Sequence, residues 1–261
     1  MTKQAASKKQ LLPEVDALLK PHKFFRKGTG WSYLHRPIAD ERLVWLLVFE
    51  FNSHGGLTFN ISIGAAWEPS YFPPMRFPKD VSTYAMLGLN GVDKGENRFY
   101  VNKPNIFESI GNDLVPNHVL PYLKQYDTPE RLLAVSPDPV LAEDIGEVDK
   151  AIELYTDKLW RYHNIGLSQG RKDTTTIYHG EMLRVYQEKL QNLLASIGRG
   201  HEFSDINMAA EIDAHLNDLD RLEKIKQKYG ETRSSLKKRE ILKERIDYLE
   251  RKRKETGTLP A

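Results

Sequence analysis

The spacing of apolar residues changes character partway along this chain, and that change limits the folds open to it more than any single motif does. Up to about residue 125 the clearest apolar patterns are those of strands. Beyond it they recur in alternating steps of four and three, the seam by which helices pack side by side. With 261 residues, 40% of them hydrophobic, the chain can fill one large core or two modest ones, and two is the expectation. The fold class is therefore α+β: a mixed α+β half built on an antiparallel β-sheet, followed by an all-α helical bundle. The expected division is a disordered basic tail over 1–10, an α+β domain over 11–127 and a helical domain over 128–261.

Residues 1–10 carry no apolar anchors to offset an ordering cost of about 1–2 kcal/mol per residue, hence the expected tail. Leu11, Leu12, Val15, Leu18 and Leu19 are spaced for a short amphipathic helix that Pro21 ends. Aromatic enrichment around Gly28 and Gly30, from Phe24 to Tyr33, suits a strand with an irregular start. Leu43–Phe51 and Leu57–Ala66, separated by Asn52, Ser53, His54, Gly55 and Gly56, read as a hairpin. In its second strand Leu57, Phe59, Ile61 and Ile63 share one face while Thr58, Asn60 and Ser62 share the other, the alternation of a sheet with one wet side. The first strand is apolar on both faces and is expected at the centre. Pro69, Pro73, Pro74 and Pro78 break regular structure, and Arg98–Val101 is the one further strand expected before a helix over about 106–123. Pro116 should interrupt that helix, and Pro121 should bend it.

Thr128-Pro129-Glu130 has the grammar of a helix start, with proline in the first turn. Seams follow in Leu141, Ile145, Val148, Ile152, Tyr155, Leu159 and Tyr162, in Leu183, Tyr186, Leu190, Leu193 and Ile197, and in Ala209, Ile212, Leu216 and Leu219. Leu242, Ile246 and Leu249 mark a last helix entered after Gly230. Coiled-coil-like packing of four helices is expected, with loops near 166–176, 198–204 and 230–234.

The order of a helix, Phe25-Arg26-Lys27-Gly28 with Trp31, then Glu50-Phe51-Asn52-Ser53, then Phe59-Asn60-Ile61-Ser62-Ile63-Gly64 resembles the bacterial domain-of-unknown-function family 4304 over about residues 11–125. The resemblance implies an antiparallel sheet with helices on one face, and it carries no activity. The chain departs from that pattern in having Glu50 at a glutamine-like position and a long proline-rich insertion.

Chemistry leaves few marks. The absence of cysteine excludes disulfides, thiolate metal sites and thiol nucleophiles. The eight histidines lack the helical pair flanking a glutamate that a zinc site needs, and no phosphate loop, dinucleotide fingerprint or nucleophile elbow occurs, so no cofactor or metal is expected. The longest apolar run, Leu43–Phe49, is far short of the roughly 20 residues of a membrane helix, and the first ten residues have no leader-like core, so a cytoplasmic address without membrane contact is the expectation. Polar groups at the hairpin, His54, Asn52, Asn60 and Glu50, with Arg26, Lys27 and Arg36 from the preceding segment, could form a pocket for an anion or a reacting proton. The plainer reading makes them the wet face of a half-buried sheet. Trp31, Trp45 and Trp67 are read as core.

Charge is uneven. Between Arg221 and Lys254 there are 14 Lys and Arg against 6 Asp and Glu, an excess of +8. Between Asp127 and Trp160 there are 9 acidic residues against 3 basic, an excess of −6. Lys237, Lys238 and Arg239, and Arg251, Lys252 and Arg253, are clusters of the kind that neutralise phosphates, without any accompanying nucleic-acid motif. The cheaper reading sets this basic helix against the acidic helix, within the bundle or across a subunit boundary. The leading expectation is thus a non-enzymatic interaction or accessory protein, the bacterial defence or immunity type included, that meets a protein partner or itself through the helical half. A nucleic-acid binder is the alternative, and an enzyme with a site around the 50–60 hairpin the second alternative.

Overall fold

In the computed structural model, which describes residues 3–26, 31–37, 42–51, 58–68, 83, 85–168 and 174–256, the apolar run Leu43–Phe49 is buried along its whole length. It belongs to an antiparallel sheet of seven strands, β1 (Phe25–Arg26), β2 (Ser32–His35), β3 (Leu43–Phe51), β4 (Thr58–Trp67), β5 (Ala85–Gly88), β6 (Gly91–Val92) and β7 (Phe99–Tyr100). They run in spatial order from β1 to β6, with β7 paired to the start of β4. The β3–β4 register, Leu43 opposite Trp67 through Phe51 opposite Phe59, puts the odd-numbered residues of both strands on one face.

That face is the one the helices cover. Tyr33 donates to Asp16 Oδ1 of α1 (Lys3–Leu19) at 2.9 Å, and Phe59 stacks on Phe107 of α2 (Ile106–Ser109) with ring centroids 5.4 Å apart. Trp45 donates its indole N–H to the Tyr126 carbonyl, and Trp67 donates to Asp144. The opposite face holds a smaller apolar patch of Val44, Leu46 and Ala66 with Leu34 against it. The wet side expected of β4 is therefore confined to its start: Thr58 and Asn60 are half-buried, while Ser62 and Ala66 are buried.

Several expectations are corrected. Helix α1 starts at Lys3, so the described part of 1–10 is helical; Ala5, Ala6, Lys8, Lys9 and Gln10 are good helix formers, and the buried turns at Val15 and Leu19 anchor what they propagate. The helix after Asn105 is not broken at Pro116. It continues from α2 through a wide-turn segment, Ile110–Val119, into α3 (Leu120–Leu123), and i to i−5 bonds such as Leu120 N–H to Val115 O accommodate the proline. Strands β5 and β6 lie where no regular element was expected. The Pro69–Pro78 stretch lies outside the described residues.

The expected boundary at 127/128 also moves. The chain divides into compact units Met1–Gly146 and Glu147–Ala261. Thr128 caps α4 (Pro129–Val135) and Asp138 caps α5 (Pro139–Asp144), both through side-chain oxygens, and Gly146, at φ 83°, separates α5 from the next helix. Leu141 and Ile145 thus do not extend the following helical seam. They belong with the sheet because Trp67 holds Asp144, and Val140, Leu141 and Ala142 are buried.

The second unit is α6 (Val148–Ser168), α7 (Thr174–Ser196), α8 (Phe203–Tyr229) and α9 (Arg233–Thr256). Helix α6 packs against both α7 and α8, and α9 packs on α8. Tyr155, Leu159, Tyr186 and Leu190 fill the first seam, and Met208, Ile212, Ile246 and Leu249 the second. Gly230, at φ 82°, closes α8 as its sequence suggests. Among the described residues no helix is long and apolar enough to cross a membrane.

Gly111 is where α1 and the wide-turn helix approach most tightly: an added Cβ would lie 2.8 Å from Leu18 Cβ. Gly111→Ala is expected to cost about 1–3 kcal/mol. Gly180→Ala, at a helix position with nothing within 4 Å, should gain about 0.5–1 kcal/mol. Calorimetry of the two variants should move the transitions in opposite directions.

Candidate functional site

Of the expected pocket residues that are described, Glu50 and Asn60 lie apart from Arg26 and Arg36. Glu50 and Asn60 face each other in the β3–β4 register, where Ser62 Oγ donates to Glu50 Oε2 at 3.1 Å and Asn60 Oδ1 is buried without a partner. Arg26 stands opposite Tyr33, on the helix-covered face, and pairs with Asp16 at 3.1 Å. Arg36 pairs with Glu68 at 2.9 Å. It follows His35, whose strand partner Trp45 is five residues from Glu50, roughly 17 Å along a strand at about 3.4 Å per residue. Arg26 and Arg36 do border a shared shallow groove with Lys23, Phe25 and Leu34 at the sheet edge. Asn52, His54 and Lys27 lie outside the described residues. Trp45 and Trp67 are core, and Trp31 is half-buried against Phe51, ring centroids 4.6 Å apart.

The basic clusters are divided by the face of α9 on which each residue falls. Lys238, Arg239 and Arg253 turn toward α8. Lys238 Nζ lies 3.6 Å from Asp218, Arg239 contacts Glu223 at 2.8 Å and Glu231 at 2.6 Å, and Arg253 grips both oxygens of Asp205. Arg245 adds a two-nitrogen grip on Glu211, at 2.9 and 2.8 Å. Arg251 bonds the Asp247 carbonyl in its own helix, and Lys252 is also engaged. Lys237 is exposed, on a face it shares with Glu240 and Glu244. The basic helix therefore meets carboxylates of α8. Seen from solvent, its outer face is mixed in charge, a poor phosphate track.

Sequence reasoning missed a polar layer inside this bundle. His215 and Asp218 of α8 are buried, at 4% and 0% exposure, while Leu216 between them is 47% exposed. Ile212 and Leu219 keep their expected places in the seam, while Met208 and His215 are buried where Ala209 and Leu216 were expected. Glu211 Oε1 lies 3.4 Å from His215 Nε2, and His163 of α6 buries an Nε2 without a hydrogen bond. Burial opposes ionisation of Glu211, but the close contacts of His215 and Arg245 with its carboxylate outweigh it, and its pKa falls to about 2. Burial lowers the basicity of His163, against the pull of Glu211.

Three of the exposed apolar residues of the second unit flank the turn between α8 and α9 in sequence. Ile225 and Tyr229 close α8, and Leu236 opens α9, at 42%, 74% and 44% exposure. Lys228 lies over the Tyr229 ring, 5.1 Å from its centroid, and Arg233 and Lys237 are exposed beside Leu236 in the sequence. Comparison with protein-family models, with curated proteins and with solved structures finds no match.

The sign of the acid response follows from Glu211. Its carboxyl titrates below its unfolded value, so the stability it contributes is present above about pH 4.5 and is lost as pH falls toward about 2. The difference in melting temperature between the chain and Glu211→Gln should be large at pH 7 and shrink between pH 4.5 and 2. His163, held neutral, adds a loss that begins below about pH 6.5. His163→Gln should flatten that segment of the same curve.

Proposed function

We propose that the chain acts as a protein-binding partner rather than an enzyme, and that the end of the α8–α9 hairpin is the part that binds. The observation that carries this reading is the exposed set Ile225, Tyr229 and Leu236 on either side of one turn. A large aromatic flanked by aliphatic side chains is the usual core of a protein contact, and burying each such side chain is worth about 1.5–3 kcal/mol. The surrounding Lys228, Arg233 and Lys237 call for an acidic rim on the partner, which would speed encounter and fix orientation. The internal ion pairs of α8 and α9 support the same reading, since they leave the hairpin stiff and engage on α8 three of the cations that phosphate binding would need.

A photo-reactive residue at position 229 tests this in the full chain. It is expected to cross-link a single acidic protein, whose purified form binds with affinity reduced about tenfold or more by Tyr229→Ala, which is about 1.4 kcal/mol or more of lost contact. An affinity unchanged by both Tyr229→Ala and Leu236→Ala would contradict the proposal. So would cross-linking at position 229 to nucleic acid or to a second copy of the chain.

A further inference from the structure

The first unit contains a cleft of about 420 Å³ that none of the expected site residues borders. It opens between the turn Lys20–His22, the end of β2 and the α3 segment. Its walls are apolar: Pro21, Pro37, Leu120 and the edge of Trp45. Its volume lies within the range of small-molecule sites, and its mouth is open to solvent.

Of the five polar side chains that line the cleft, His22 is bonded to Gly111 O at 2.7 Å and Asp127 pairs with Arg131, which leaves Lys23, Lys124 and His35 to give it its chemistry. Lys23 is one of three non-glycine residues with positive φ among those described, at 61°. Glycine would take that conformation at lower cost, so a lysine there keeps a cation at the expense of backbone strain. Lys124 supplies a second cation, and neither lysine has an ion pair among the described residues. Asp127 also borders the cleft, but Arg131 holds it at 2.6 Å. The third group is His35. A carbonyl can only accept, so the 3.0 Å contact between His35 Nδ1 and His22 O fixes the proton on Nδ1 and leaves Nε2 as an acceptor. The ring is held by stacking on Trp45, centroids 4.9 Å apart and planes 19° from parallel, and Trp45 is itself anchored through Tyr126 O. Burial lowers the basicity of His35 against the pull of the His22 carbonyl, and the Lys23 charge lowers it further, so the acceptor stays neutral.

We propose that this cleft binds a small hydroxy acid, with the carboxylate between Lys23 and Lys124, the hydroxyl donating to His35 Nε2 and the hydrocarbon part against Pro21, Pro37 and Leu120. Each group of such a ligand has a counterpart here. The two lysines, which have no ion pair among the described residues, can take an anion between them, the fixed acceptor can take a donor, and the apolar lining can take carbon.

Calorimetric titration of the full chain with lactate and mandelate, and with phenylacetate and benzyl alcohol as the analogues lacking hydroxyl and carboxylate, tests the proposal. Saturable binding is expected for the hydroxy acids, at least about tenfold weaker binding for phenylacetate, and none for benzyl alcohol at the same concentration. Lys124→Gln should weaken mandelate binding about tenfold with the melting temperature unchanged. Lys23→Gly should weaken it similarly while the melting temperature holds or rises, because the strain is relieved. His35→Phe preserves the stack and should erase the preference for mandelate over phenylacetate. Failure of both hydroxy acids to bind, equal binding of phenylacetate by the unaltered chain, or lysine variants with undiminished affinity would overturn it.

Discussion

Carboxylates recur along α8 at Asp205, Glu211, Asp218 and Glu223, and each meets a cation of α9: Arg253, Arg245, Lys238 and Arg239. The pairs run in antiparallel order, so the ladder sets how the two longest described helices align and which side of α9 faces inward. The rungs are unequal. Asp205–Arg253 is open to solvent and contributes little to stability. Asp218 is fully buried and Glu211 nearly so, and there the loss of a partner would strand a charge away from water, a cost of about 3–5 kcal/mol.

The first unit obeys the same rule with neutral groups. A strand buried on both faces needs cover on each, and the bulky members of the sheet, Trp45 and Trp67, carry N–H groups that cannot be left unbonded inside. Their bonds to Tyr126 O and Asp144 reach chain far beyond the last strand. Two indole donors therefore explain why α4 and α5 belong to the sheet and why the unit ends at Gly146.

The pair β3 and β4 was legible because a short continuous apolar run precedes a run that alternates by two, with a glycine-rich break between them, and the later helices because the four-three spacing repeats. Strands β5 and β6, four and two residues long, are too short to show a period. The domain boundary was misplaced because a helix start reads alike whether the helix packs on a sheet or on other helices. His215 and Asp218 were invisible to a search for apolar seams, since a buried polar residue reads as exposed until its partners are known. The partners of α9 were legible as charge but not as geometry: His201–Asp220 carries six acidic residues and no Lys or Arg, an excess as large as that of Asp127–Trp160, and sequence alone does not say which acidic stretch lies against α9. Sequence reasoning named none of the polar groups of the proposed cleft, because Lys23, His35 and Lys124 are spread over 101 positions of chain and no motif links them.

A double-mutant cycle between Glu211 and Arg245, read by denaturant unfolding of the full chain, tests most directly whether α9 is held by its charges on α8. The two-nitrogen grip on a largely buried carboxylate predicts a coupling of about 1–3 kcal/mol that persists in molar salt, where exposed pairs fade. A coupling within about 0.3 kcal/mol of zero, or one that vanishes with added salt, would contradict it.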